Sequence, residues 1–129
     1  MIFGNARDNL YRSLMKNMAA DPGKKLPASL RNDLCFLSAE DPKALALVLQ
    51  EAFVKPRRVV RASWKLPSRK ERQAACRDPI AKLEGIFKAL VGAATKNPDL
   101  ENEALRFRFS LNMLTLQMNA GDPKKYRLK

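Results

Sequence analysis

The chain has 129 residues, a length typical of one domain, with 25 Lys and Arg against 13 Asp and Glu and no histidine, so its net charge is +12. Hydrophobic residues make up 46% and charged residues 29%, fractions typical of a globular protein. The lack of histidine excludes Ser-His-Asp and Cys-His catalytic groups, imidazole metal ligands and a histidine pH switch.

An acidic or amide residue precedes proline at five places in the chain: Asp21-Pro22, Asp41-Pro42, Asp78-Pro79, Asn97-Pro98 and Asp122-Pro123. Asp and Asn accept hydrogen bonds from the free N–H groups of a first helical turn, and proline at the next position loses no hydrogen bond there. The same dipeptide disfavours continuation of a preceding helix. The pattern predicts a series of short helices with sharp corners.

Leucines at helical spacing predict the first elements. We expect a helix over 6–20, a short one over 27–38, and an apolar one that follows Asp41-Pro42 and ends at Lys55-Pro56. Alternating strand patterns are absent apart from the brief pair Val59-Val60, so the predicted fold class is all-α.

After a basic loop, Ser68 with Glu71 three residues later has the form of a capping box and predicts a short helix to about residue 77. We expect Asp78-Pro79 to open the next helix and Asn97-Pro98 to open the longest one, which ends at Gly121 in a left-handed cap.

Two rows of apolar residues lie along this last predicted helix. The first has heptad-like spacing and predicts a core seam: Leu100, Ala104, Phe107, Leu111, Leu114 and Met118. The second row widens the face, so we expect the helix to pack against two neighbours: Leu105, Phe109, Met113 and Leu116. The alternative to a core role is that this face exceeds what one small domain can bury. Part of it would then form a protein interface, at Phe107, Phe109, Met113 and Met118. We predict one domain over 1–129, a compact bundle of five to seven short helices.

Nearly all of the excess positive charge lies in two parts of the chain. Residues 55–77, the basic segment, hold nine basic side chains and one acidic side chain, and the tail 122–129 holds four and one. Crowded cations repel one another unless a polyanion neutralises them, and arginine, the commoner cation in the segment, has a planar fork that suits phosphate. The segment therefore predicts nucleic-acid binding. A solvated loop kept soluble by its charge is the alternative.

The candidate nucleic-acid-binding residues are Lys55, Arg57, Arg58, Arg61, Trp64 and Lys65 on the expected loop, and Arg69, Lys70, Arg72 and Arg77 on or near the short helix. Trp64 has two roles open to it, stacking on an exposed base or anchoring its loop to the core, and its apolar flanks favour the anchor. Tyr126 in the basic tail is a second aromatic that could stack.

No motif indicates catalysis, a cofactor or a metal site, so we expect a protein that is not an enzyme. The sequence has no phosphate loop, dinucleotide fingerprint or nucleophile elbow. No recognition helix with Asn, Gln and Arg on one face stands out either. Contacts to the sugar-phosphate backbone of RNA or single-stranded DNA are therefore favoured over sequence-specific duplex binding.

Cys35 and Cys76 are too few for a disulfide framework, so we expect reduced, buried thiols. The amino terminus carries Asp8 and no long apolar run, and no stretch approaches the ~18 apolar residues of a membrane span. These features predict a cytoplasmic protein that does not contact membranes.

The size, helicity and basic charge of the chain resemble the small helical subunits of CRISPR effector complexes, which line the path of the guide or displaced strand. That likeness implies a ribonucleoprotein subunit with protein neighbours. Separately, Leu10-Tyr11, Leu14 and the stretch 26–31 (LPASLR) are similar to the L-W…LPxxLR pattern of the flagellar regulator family FlaF, over about residues 10–37. This second resemblance implies an adaptor or regulator that binds protein.

Overall fold

The computed structural model describes residues 6–19 and 28–126, and these residues fold into six α-helices without a strand, which confirms the all-α prediction. The helices are α1 (Ala6–Ala19), α2 (Ala28–Glu40), α3 (Pro42–Glu51), α4 (Val54–Ser63), α5 (Arg69–Ala94) and α6 (Glu101–Ala120). Two short 3₁₀ turns, Pro98–Leu100 and Pro123–Tyr126, lie on either side of α6.

Polar side chains begin three of these elements where the sequence predicts a start. Asp41 before α3, Ser68 before α5 and Asn97 before the 3₁₀ turn each accept a hydrogen bond from a backbone N–H two or three residues later, at 3.1 Å. Such bonds satisfy N–H groups that have no partner inside the helix. These three predicted starts are confirmed.

The expected loop after Lys55-Pro56 is a helix instead. The preceding helix, α3, already ends at Glu51, and α4 begins at Val54, so Pro56 is the third residue of a new helix. The first N–H groups of a helix have no intrahelical acceptor, so a proline there removes no hydrogen bond. The basic segment therefore begins on a regular element.

The prediction that Asp78-Pro79 separates two helices was wrong, because α5 runs through Pro79 for 26 residues and is longer than α6. Proline in a helix interior leaves one carbonyl, here that of Ala75, without its usual donor. Ala75 is exposed, so water can serve that carbonyl. Buried side chains lie on both sides of the proline, at Cys76 and Leu83, and their burial favours one continuous helix.

The core is built around the pair formed by α5 and α6. Helices α1, α2 and α3 pack against one another, α1 and α2 also pack on α5, and α4 packs on both α5 and α6. The rings of Phe53 and Phe107 meet in this core, with their centroids 4.8 Å apart. Cys76 is a buried free thiol, and the thiol of Cys35 is half-buried and donates to the carbonyl of Ala93 at 3.6 Å.

The two apolar rows of α6 have different environments. All six members of the predicted seam are buried, which confirms it. The second row faces solvent, with Leu105 68% and Phe109 67% exposed. Helix α6 does contact both α4 and α5, but the second row is exposed and is not the face that packs between them.

The carboxyl end of α6 is closed by side chains from the α4–α5 region. The guanidinium of Arg72 is buried and donates from Nε to the carbonyl of Met118 at 2.8 Å and from Nη2 to that of Asn119 at 2.9 Å. Its Nη1 donates to the carbonyl of Leu66 at 3.0 Å. A cation at this position satisfies carbonyls that have no partner inside the helix and lies at the negative end of the helix dipole.

Gly121 ends α6 at the predicted position and its N–H donates to the carbonyl of Gln117 at 3.1 Å, but its ψ differs from that of the predicted left-handed cap. Its φ of 80° and ψ of −159° fall in a region that is readily populated by glycine alone. A Cβ at this position would also lie 3.2 Å from Cζ of Arg72. Backbone conformation and the close guanidinium both favour glycine here.

We expect Arg72→Met to lower the free energy of unfolding by about 3 kcal/mol, because it leaves three carbonyls without their charged donor. Urea unfolding followed by circular dichroism measures the loss. Arg69→Met on the same helix is the matched control, since Arg69 is exposed, and we expect it to change stability by less than about 0.5 kcal/mol. Equal effects of the two substitutions would contradict the role of Arg72.

Candidate nucleic-acid interface

Helix α4 presents three arginines on its solvent-facing side. Its buried residues are Pro56, Val60 and Ser63, which recur at helical spacing on one face. At about 100° per residue, Arg57, Arg58 and Arg61 fall within an arc of about 100° on the opposite face. All three are exposed. The helix found here in place of the expected loop therefore holds these cations in a fixed arrangement.

The remaining exposed cations of the basic segment lie at the ends of α4 and on the first turns of α5. A five-residue turn, 64–68, joins the two helices, which pack against each other as an αα-hairpin. We use the name basic cluster for the eight exposed cations of this helix pair: Lys55, Arg57, Arg58, Arg61, Lys65, Arg69, Lys70 and Arg77.

Most of this charge has no neutralising partner. Within 6–19 and 28–126, Arg77 is the one member of the basic cluster with a carboxylate within 4.0 Å, that of Asp78 at 3.5 Å. The guanidinium of Arg57 lies 5.5 Å from the ring centroid of Phe53, a cation–π contact that leaves its charge in place. Neighbouring like charges repel, so the cluster lowers the stability of the free protein.

Two candidate residues differ from the other eight. Arg72 is buried and its donors are bound to carbonyls, so it is not available for phosphate, and we leave it out of the proposed contacts. Trp64 is half-buried against the core, and its Nε1 donates to the carbonyl of Gln117 at 3.2 Å. This contact matches the anchoring role, so Trp64 is also left out.

A groove next to the basic cluster was not predicted from the sequence. It lies between α3, α4 and α6, has a volume of about 460 Å³, and includes Phe53, Arg57 and Phe109 in its walls. The sequence signal for Phe109 was its place in the second apolar row of α6. Its proximity to Arg57 depends on α4 being a helix, which the sequence analysis did not predict.

The basic tail is described in part. Asp122 accepts a hydrogen bond from the N–H of Lys124 at 2.9 Å, at the start of the last 3₁₀ turn. Residues 127–129 and the side chain of Tyr126 lie outside what the structure describes, so the prediction that the tail extends the basic surface stays a prediction.

Two further findings concern sites and membranes. In the described ranges, no three Cys, Asp or Glu side chains are grouped so that they could hold a metal ion. None of the helices in this part of the chain has both the length and the apolar character needed to span a bilayer.

Comparison of the chain with models of protein families, with curated proteins and with solved structures found no match. The resemblances to CRISPR small subunits and to FlaF therefore stay predictions. Of the FlaF-like pattern, Leu10, Leu14 and Leu30 are buried, and the stretch 20–27 lies outside the described residues.

We expect the melting temperature to rise as NaCl increases from low to physiological concentration, because the Debye length falls from about 30 Å to about 8 Å and repulsion within the basic cluster is screened. Arg58→Gln combined with Arg61→Gln removes two of the repelling charges. This variant should melt higher at low salt and respond less to added salt, as measured by circular dichroism.

Lys88→Gln combined with Lys96→Gln is the matched control, because both lysines are exposed and lie outside the cluster. An equal change in the two double variants would show that total charge, rather than local repulsion, sets the salt response.

Proposed function

We propose that the protein is a non-catalytic nucleic-acid-binding protein that holds the sugar-phosphate backbone against the basic cluster, either alone or as a small subunit of a ribonucleoprotein complex. The observation that carries this proposal is the set of seven exposed cations on α4, α5 and their turn that have no carboxylate within 4.0 Å in the described residues. A polyanion would relieve their mutual repulsion and release its own counterions to solution.

The placement of the arginines suits contacts to phosphate groups. Arg57 and Arg61 are one turn apart on α4, about 6 Å along the helix axis, so they can contact different phosphates of one strand. Each guanidinium carries five N–H donors in a planar fork, which binds phosphate oxygens in pairs. The cation–π contact with Phe53 orients the side chain of Arg57 without using its charge.

The cluster is poorly suited to reading base sequence. Helix α4 contains no Asn or Gln, the residue types that join arginine in pairing with base edges. On α5, the side-chain amide of Gln73 already has a partner within the protein, because it donates to Oδ1 of Asn119 at 3.0 Å. Contacts that position a backbone, rather than select a sequence, fit this composition.

We expect fluorescence anisotropy with labelled single-stranded RNA, single-stranded DNA and duplex DNA to give binding that weakens with salt. The slope of log K against log[salt] should be about −4 or steeper, since each phosphate contact contributes about −0.7 to −0.9. Substituting Arg57, Arg58 and Arg61 with Glu should weaken binding at least about tenfold and reduce the slope by about 2 to 3.

The matched control substitutes Lys43, Lys88 and Lys96 with Glu, which changes the net charge by the same amount at exposed sites outside the cluster. No binding at low salt would overturn the proposal for this chain. Equal losses in the two triple variants would also overturn the assignment to the basic cluster.

A protein-binding adaptor is the second candidate function, because the second apolar row of α6 is exposed. Leu116 is 60% and Met113 is 41% exposed, and large apolar side chains grouped on one helix face are typical of protein contacts. For this function we expect Met113→Glu with Leu116→Glu to abolish partner retention on the immobilised protein. The substitutions at Arg57, Arg58 and Arg61 should leave that retention unchanged, and the reverse pattern would count against the adaptor.

A further inference from the structure

The groove between α3, α4 and α6 combines aromatic walls with cations. Its floor includes the buried rings of Phe53 and Phe107, and its rim includes the ring of Phe109, which is 67% exposed. An exposed ring of this kind leaves a flat apolar face open to a ligand. The groove volume of about 460 Å³ falls within the range of roughly 300–1,000 Å³ that is usual for small-ligand sites.

Two arginines from different helices line the same groove. Arg57 belongs both to the groove and to the basic cluster, so the two surfaces are continuous. Arg106 donates from Nη1 to Oε1 of Glu103 at 3.2 Å and keeps the donors of its other nitrogens, and its side chain is 73% exposed. Glu103 lines the groove as well and neutralises part of the charge of Arg106, so a ligand here meets an apolar aromatic wall whose adjacent positive charge is chiefly that of Arg57.

The side chains of Gln50 and Ser110 also line the groove and add neutral donors and acceptors. Apolar faces, neutral hydrogen-bonding groups and adjacent cations match the three parts of a nucleotide: the faces of the base, its polar edge and its phosphate. An uncharged apolar protein segment would use the rings but would leave Arg57 without an anion.

We infer that this groove binds an unpaired base of a single-stranded nucleic acid, stacked on Phe109, while the adjoining phosphates contact Arg57 and the rest of the basic cluster. The inference rests on the proposed function and adds a ligand class to it, because a base that enters the groove cannot be paired in a duplex. Phe109 takes the stacking role that Trp64, anchored through Nε1 to Gln117, does not have.

The test compares an oligothymidylate with an abasic oligomer of the same length, which has the same phosphates and no bases. We expect the unmodified protein to bind the intact oligomer about tenfold or more tightly than the abasic one, since stacking on one aromatic side chain is worth about 5- to 160-fold in affinity. Phe109→Ala should remove this difference by weakening the intact oligomer alone. Phe109→Trp should keep it.

Leu116→Ala is the matched control, because Leu116 is an exposed apolar residue of the same helix outside the groove, and it should preserve the difference. Circular dichroism checks that each variant is folded. If neither oligomer binds, the inference is overturned, and the proposed function fails with it when the labelled RNA and DNA ligands described above do not bind at low salt either. If both bind equally and binding still depends on Arg57, Arg58 and Arg61, the inference alone is overturned. Equal weakening of both oligomers by Phe109→Ala would overturn it as well.

Discussion

The three hydrogen bonds of the Arg72 guanidinium fix how the long helices meet. Burying a guanidinium is costly unless its donors find acceptors, and here the carbonyls of Met118, Asn119 and Leu66 provide them. These carbonyls belong to the end of α6 and to the turn before α5, so one side chain joins both elements. Trp64 adds a bond to the neighbouring carbonyl of Gln117. Helix α4 ends at this turn, so the junction and the buried residues of α4 together hold the basic cluster and the groove in place.

Arginine is a structural residue at one position of the α4–α5 helix pair and an exposed cation at others. Arg72 stabilises the fold because its charge is surrounded by carbonyl oxygens, whereas Arg58 and Arg61 are exposed with no carboxylate within 4.0 Å in the described residues. The local environment, rather than the residue type, separates a structural cation from one available to a ligand. The separation also protects the fold, because a polyanion that contacts the exposed cations does not compete for Arg72.

Features set by local chemistry were predictable from the sequence, and features set by tertiary packing were not. The caps at Asp41, Ser68 and Asn97 depend on hydrogen bonds within a few residues, and the seam of α6 depends on spacing alone. Local signals at Pro56 and Pro79 pointed to breaks, but burial on both sides of Pro79 makes α5 continuous.

For the candidate site, the cation positions were readable from the sequence. The burial of Arg72 and the approach of Phe109 to Arg57 were not, because each depends on a partner more than 40 residues away in the chain.

The helical state of the basic segment has a thermodynamic consequence. A loop that carried these cations would have to be ordered when it contacted a ligand, at a cost of about 1–2 kcal/mol for each residue fixed. In α4 and the first turns of α5 that ordering is complete before any contact is made. The cluster is a preorganised surface, so association with a polyanion involves no folding transition of this segment. The heat capacity change of such an association would then reflect only the surface removed from water, and the part due to contacts between guanidinium and phosphate groups would be small.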